Sequence, residues 1–229
     1  MTGSTRRGGA AIARALHARG LNVVIHHASA RSRPEAEALA AELLAARAGS
    51  VRLWQASFTE PALPLEGLEG LALSVLVCNA SVYQPSTLAD TQARDRDLST
   101  HLLAHAALAK HCRASLRALV AVSDIHVDQP HQGHVWYHVA KAALESLVFT
   151  LAVEWAPEVR CNVVAPGALP FPEAGIEAER VNEVLRGIPL ARTGSFEELA
   201  AAVVWLALDA SYVTGQKIKL DGGRSRWLR

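Results

Sequence analysis

The sequence predicts an α/β fold, a doubly wound parallel sheet with helices on both faces, with residues 1–229 forming one domain. Three observations predict it. Short apolar runs of strand length alternate with stretches of helical periodicity, the pattern of a parallel sheet covered on both sides. Glycine and proline fall mainly at the junctions between these stretches. Polar segments follow the strand-like runs, on the edge where such sheets bind ligands. With 229 residues, half of them hydrophobic, the chain can bury one sizeable core.

The first element is a helix over Ala10–Arg19, stopped by Gly20, and "LNVVIHH" follows as a buried strand. A second helix runs through "PEAEALAAELLAARAG", with Pro34 near its start and Gly49 just past its end. "SVRLW" is a short strand. In "FTEPALPLEGLEGLA", Pro61, Pro64, Gly67 and Gly70 leave room only for a short or irregular connection. "LALSVLVCNAS" is a strong strand that runs into a polar turn. Residues Arg94–Ser115 are helical, "LRALVAVSD" is a strand, and Val135–Trp155 is a long apolar-striped helix. "VRCNVVAPG" is the next strand with its loop. Helices follow from about Glu177 to Arg186 and from Phe196 to Leu208, and "QKIKLDGG" closes the sheet.

Composition excludes several classes of function. The net charge is +1, with 23 basic against 22 acidic side chains, so no field points to nucleic acid or an anionic membrane. Cys78, Cys112 and Cys161 are odd in number and widely spaced, which suggests neither a disulfide framework nor a zinc site. No apolar run approaches the ~20 residues that span a bilayer. The early arginines are not followed by a signal-peptide core, so a cytoplasmic location is expected.

Five polar segments fall on the carboxyl edge: "TGSTRRGG", "HHASARSR", "CNASVY", "SDIH…WYHVAK" and "APGAL". In the first, Gly3 and Gly9 allow close backbone approach, the helix start offers free N–H groups, and Arg6 and Arg7 add phosphate-matching forks. An ordinary polar turn fits it equally. "HHASARSR" carries Ser29, Arg31, Ser32 and Arg33 and no carboxylate. An NAD-selective site uses a carboxylate there for the ribose hydroxyl, so this segment favours the 2′-phosphate of NADP over a merely solvated basic loop. Tyr137 and Lys141 are four apart, on one helical face. An ammonium so placed lowers a phenol from its usual value near 10 and makes it a usable proton donor. Asp124, thirteen residues upstream at a strand end, can orient that tyrosine, meet a substrate or simply cap a loop. His126, His131, His134 and His138 crowd one segment, and His134 and His138 have a metal-like spacing. No thiol or carboxylate completes such a set, and no metal is expected. No GxSxG elbow supports a serine hydrolase.

The order TGxxRRxG, NAS, strand-end Asp, YxxxK, APG and "VTGQKIKLDGG" resembles the short-chain dehydrogenase/reductases over essentially the whole chain. Asp124 in place of the more common serine, arginines in the first turn and an aromatic after NAS are similar to the pteridine reductase branch. "APEVRCNVVAPGALPFPE" and "LDGGRSRWLR" look most like its bacterial dihydromonapterin reductase members.

The resemblance implies an NADP(H)-dependent reductase, commonly a homotetramer, acting on a small-molecule pterin. The substrate it implies is 7,8-dihydromonapterin, with dihydrofolate and dihydrobiopterin as variants. It makes Tyr137 the catalytic acid, Lys141 the ribose-binding lysine, and Asp124 the pterin contact that helps relay the proton. Gly3, Arg6, Arg7 and Gly9 would hold the pyrophosphate. Asn79, Ala80 and Ser81 would line the adenosine and ribose path, and Pro166, Gly167 and Leu169 the nicotinamide. Tyr83 would stack on the pterin or pack in its loop. Ser57 stands where most members carry an adenine-contacting Asp. His101 stands where they carry an Asn that holds a relay water, a role imidazole can fill unless its nitrogens are used in the helix. Carbonyl or 3-oxoacyl reduction, and a catalytically impaired nucleotide-binding relic, are the alternatives.

In the family a first strand ends in an apolar residue directly before the Thr-Gly of the phosphate turn, and here Met1 takes that place. The expectation is an upstream strand of about six to ten residues, shared as central partner by "LNVVIHH" and "LSVLVC". Without it, the 229-residue chain is expected to be insoluble or free of cofactor.

Overall fold

The computed structural model describes residues 1–60, 62–171 and 177–226. Pro61 of the irregular connection, and residues 172, 173 and 227–229 of the segments that carry the resemblance, lie outside the described residues.

The elements in chain order are α1 (Arg7–Ala18), β1 (Val23–His27), α2 (Arg33–Ala46), β2 (Val51–Gln55), β3 (Val75–Cys78), α3 (Thr91–Leu98), α4 (Ala104–Cys112), β4 (Ala118–Val122), α5 (Val135–Glu154), β5 (Arg160–Pro166), α6 (Ala178–Arg186), α7 (Phe196–Val204) and β6 (Lys217–Leu220). The predicted helix over Arg94–Ser115 is α3 and α4, joined by a π turn at Ser99–Leu103. The first helix begins at Arg7 rather than Ala10, because Gly8 and Gly9 hide its first turn from propensity. Between β2 and β3 the described residues form turns, fastened where Trp54 Nε1 donates to the Pro64 carbonyl at 3.1 Å.

All ladders are parallel. One sheet runs β3–β4–β5–β6, and β1–β2 forms a second. Side chains alternate between two cores. Val77, Val120 and Val164 pack with α1, α2 and α7, whereas Leu76, Leu119 and Val163 pack with α4 and α5. Every residue of β4 is buried, which is why "ALVAV" reads as an unbroken apolar run.

No ladder joins β1 to β3 among the described residues. The two strands predicted to flank one central position are therefore not paired with each other. Residues 1–4 bridge them instead. The Met1 amino group donates to the Val24 carbonyl at 3.0 Å, Thr2 N–H to Val77 at 3.0 Å and Ser4 N–H to His26 at 3.2 Å. A cavity of about 290 Å³ lies along this seam, walled by Leu16, Val23, Trp54, Val77 and Leu108.

Candidate active site

The phosphate-type turn is built by close approach. Gly3 sits at φ +60°, and a Cβ there would come within 2.8 Å of Ala80 Cα. A Cβ on Gly9 would collide with the Gly3 carbonyl, so both positions require glycine. Arg6 is extended, and Arg7 opens α1 at φ 50°, a left-handed conformation a side chain adopts only at a cost. No side chain caps α1 and no acid stands in its first turn, so its N–H groups and positive dipole end face the cleft. The Arg7 guanidinium lies over the Phe196 ring at 5.0 Å and donates to the Pro170 carbonyl. After β1, Ser29 and Ser32 cap one another across a short turn, with Arg31 exposed. Ser57 bonds Thr59 at 3.0 Å.

The chemical groups come from β4 and α5. Tyr137 and Lys141 project from one face of α5 as their spacing predicts, and both are buried. The Tyr137 hydroxyl donates to Asp124 Oδ2 at 2.8 Å, while Asp124 Oδ1 accepts from the His126 amide at 2.8 Å. Burial, then the Asp124 charge and hydrogen bond, push the Tyr137 phenol well above its usual value. This corrects the expectation that Lys141 lowers it. The Lys141 ammonium lies 5.9 Å from the ring centroid and donates one of its three hydrogens to the Val122 carbonyl at 2.8 Å. Burial also brings Lys141 itself down to about 8.

His101 has no ring nitrogen to spare for a relay water. Its Nδ1 faces the Asp97 carbonyl at 3.0 Å, and a carbonyl only accepts, so that nitrogen carries the proton. Its Nε2 then accepts from Ser81 Oγ at 3.0 Å and from the Val82 amide at 3.2 Å. The same logic fixes two further imidazoles. His105 donates from Nδ1 to the His101 carbonyl and accepts from Thr2 Oγ1 at 3.0 Å. His26 donates from Nε2 to the Ala56 carbonyl at 2.8 Å and accepts from the Gly3 amide at 2.9 Å. Burial lowers His101 to about 2 and the other two to about 4, so all three stay neutral at ordinary pH.

Apart from Arg33, which pairs with Glu37, every residue that the sequence assigns to cofactor or catalysis lines one open cleft of about 910 Å³ at the carboxyl ends of the strands. Tyr83 lines an adjoining cavity of about 660 Å³, which shares Arg7, Asp124, Tyr137, Gly167 and Leu169 with that cleft. Its ring stacks on His134 at 4.2 Å and meets Tyr137 edge-on at 4.9 Å. The four clustered histidines likewise pack ring against ring. No group of three or more potential metal ligands occurs among the described residues.

The sequence reading missed Glu35, which brings a carboxylate from α2 to the cleft beside the carboxylate-free loop. It also missed Phe196, which it reads only as a helix start, and Arg224, which it has only within the stretch "LDGGRSRWLR" that carries the resemblance.

A family model described as enoyl-(acyl carrier protein) reductase matches residues 5–225. Pteridine reductase 1 of Leishmania tarentolae is 30% identical over 277 residues, covering 98% of this chain and 95% of that protein. Glucose 1-dehydrogenase of Gluconobacter oxydans is 33% identical over 165 residues, 66% of this chain and 62% of that protein. Among solved structures, FolM alternative dihydrofolate reductase 1 from Brucella canis, complexed with NADP, superposes with a TM-score of 0.86. It is 29% identical, with 100% of this chain and 93% of that one covered. Among the described residues, no helix is long and apolar enough to cross a membrane.

Proposed function

The chain belongs to the short-chain dehydrogenase/reductase family of oxidoreductases, and from that premise we propose that it uses NADPH to reduce a dihydropterin to the tetrahydropterin. Among pterins, 7,8-dihydromonapterin is the ring and side chain that the sequence resemblance favours. One observation carries the reading: the Tyr137 phenol is held on a strand-end carboxylate, Asp124, rather than on the usual serine. A carboxylate accepts the N–H donors of a pterin, whereas a serine hydroxyl serves a ketone oxygen.

The residues present fit the cofactor. The glycine-lined turn, the uncapped α1 terminus, Arg6 and Arg7 suit a pyrophosphate, and Ser29, Arg31 and Ser32 suit a 2′-phosphate. Ser57, Asn79, Ala80 and Ser81 would border adenosine and ribose, Lys141 the nicotinamide ribose, and Pro166, Gly167 and Leu169 the nicotinamide. NADPH, when bound, supplies a hydride to a ring carbon.

The protein's own part is the proton. A phenol held well above its usual value stays protonated at neutral pH, so Tyr137 keeps a proton for the ring nitrogen beside that carbon. Donation leaves an oxyanion 2.8 Å from Asp124. Two negative charges that close are unfavourable, so Asp124, which is half-buried and reached by solvent, takes up the replacement proton and returns it to the phenolate. The His126 amide keeps the carboxylate aimed while it does so.

The test follows NADPH consumption with dihydromonapterin, dihydrobiopterin, dihydrofolate and a 3-oxoacyl thioester. Pterin turnover is the expected result, and Asp124→Ser should reduce it more than it reduces any turnover of the thioester. Turnover of the thioester alone would establish carbonyl reduction. Tight NADPH binding with no turnover of any substrate would leave a nucleotide-binding relic.

A further inference from the structure

Asp124 is the one carboxylate among the described residues that line the cavity beside Tyr137, and each of its oxygens accepts one hydrogen bond, from Tyr137 or from the His126 amide. Arg180 and Arg224 line the same cavity. Arg224 is half-buried at the turn after β6, and that turn satisfies itself: Asp221 accepts from the Gly223 amide at 3.0 Å and from the Ser225 amide at 2.7 Å. Gln129 pins the turn against the loop after β4, donating to the Ser225 carbonyl at 2.8 Å. The turn that carries Arg224 is thereby fixed beside the cavity, and Arg224 makes no ion pair among the described residues. Arg180, in the first turn of α6, pairs among the described residues with the exposed Glu183, a contact that a ligand anion can replace at small cost. His126, His131 and His134 form the wall between, with the Tyr83 hydroxyl bonded to His131 at 2.9 Å.

We propose that Arg224 and Arg180 form an anion subsite for the substrate tail, so that the enzyme prefers a pterin bearing a carboxylate or phosphate over the same ring with a neutral tail. The inference rests on the dihydropterin reading above and revises its tail, placing a charged side chain ahead of the neutral one of dihydromonapterin. Guanidinium forks match both anions bidentately, and a charge-assisted pair in a partly enclosed cavity is stronger than a neutral hydrogen bond.

Three substrates separate the sources of charge: 7,8-dihydromonapterin, its phosphate ester, and 7,8-dihydrofolate with its glutamyl carboxylates. The expected result is a kcat/KM about tenfold or more higher for at least one charged tail, expressed in KM. Whichever charged substrate leads identifies phosphate or carboxylate. In the R180Q/R224Q variant the charged-to-neutral ratio should fall toward one, and added salt should move it the same way. Should R224Q fail to fold, R180Q alone, on an exposed helix, decides by the same ratio. Equal or better use of the neutral pterin, or a ratio indifferent to the arginines, overturns the subsite while leaving pterin reduction in place. Calorimetry on NADP⁺-loaded protein reads binding without turnover. Arginine-dependent binding of dihydrofolate or the phosphate ester without reduction would keep the subsite and sink the reaction.

Discussion

The two parts of the sheet are held together by different means, and they carry different halves of the proposed work. Strands β3 to β6 form three consecutive ladders over fully buried β4. They carry Asp124 at the end of β4 and lie under α5, with Tyr137 and Lys141. Strands β1 and β2 share one ladder and carry the loop of Ser29, Arg31 and Ser32. The seam between them is made of residues 1–4 and two neutral imidazoles, His26 and His105. The contrast teaches that the proposed proton-transfer groups sit on the part with three ladders. The loop proposed for the 2′-phosphate sits on the part that must be aligned to it.

The strongest way to break the comparison is a change that should damage only one side. Tyr137→Phe removes the proton donor from the four-stranded part, so reduction should fall ~10²–10⁴-fold. NADPH affinity, measured by fluorescence or calorimetry, should stay within about twofold of the parent, because the residues proposed to hold the cofactor are unchanged. A parallel loss of binding would mean that the two parts are not separable. The reciprocal change is smaller. NADPH should bind about tenfold more tightly than NADH, ~1.4 kcal/mol, and Arg31→Ala should remove most of that preference while kcat at saturating NADPH holds. Comparable affinities for the two nucleotides in the parent would point to Glu35, not the arginine, as the group that reads the ribose.

The seam itself should respond to acid. His26 and His105 titrate near 4 and His101 near 2 in the folded protein, all below the 6.5 of a free imidazole. Below pH 6.5 the unfolded chain takes up protons that the folded one refuses, so stability falls as pH drops from 6.5 toward 4. Above 6.5 these groups contribute no slope. Thermal melts across that range, with NADPH affinity measured alongside, should show binding weakening as the chain destabilises, since His26 holds the Gly3 amide and His105 holds Thr2. A flat profile between 6.5 and 4 would remove the imidazoles from the account. The smallest effect is local: amides of β4 should exchange with deuterium more slowly than those of β1, because β4 lies between two ladders and β1 beside one.

Much of this was legible in sequence because period and punctuation are local. The run "ALVAV" could only be a doubly covered strand, and the spacing of Tyr137 and Lys141 fixed their common face. What was not legible depends on neighbours far along the chain. Nothing near His101 announces that Ser81 and Val82 would occupy its free nitrogen, twenty residues away. The direction of the Tyr137 shift was misread for the same reason. Spacing puts a lysine one turn away, but burial and Asp124 outweigh it, and the ammonium donates one hydrogen to Val122. Arg224 reads only as one residue of the stretch "LDGGRSRWLR" until Asp221 is seen to be satisfied by backbone.

The apolar cavity along the seam carries a consequence in volume. Protein interiors are packed about as densely as organic crystals, and the partly open gap lined by Leu16, Val23, Trp54, Val77 and Leu108 is a place where the side chains fall short of that density. Unfolding then shrinks the system, and pressure favours the smaller state. Compression should therefore separate β1 and β2 from the other four strands before it disturbs the ladders of β4, making hydrostatic pressure, more selectively than heat or denaturant, the variable that takes this sheet apart along its seam.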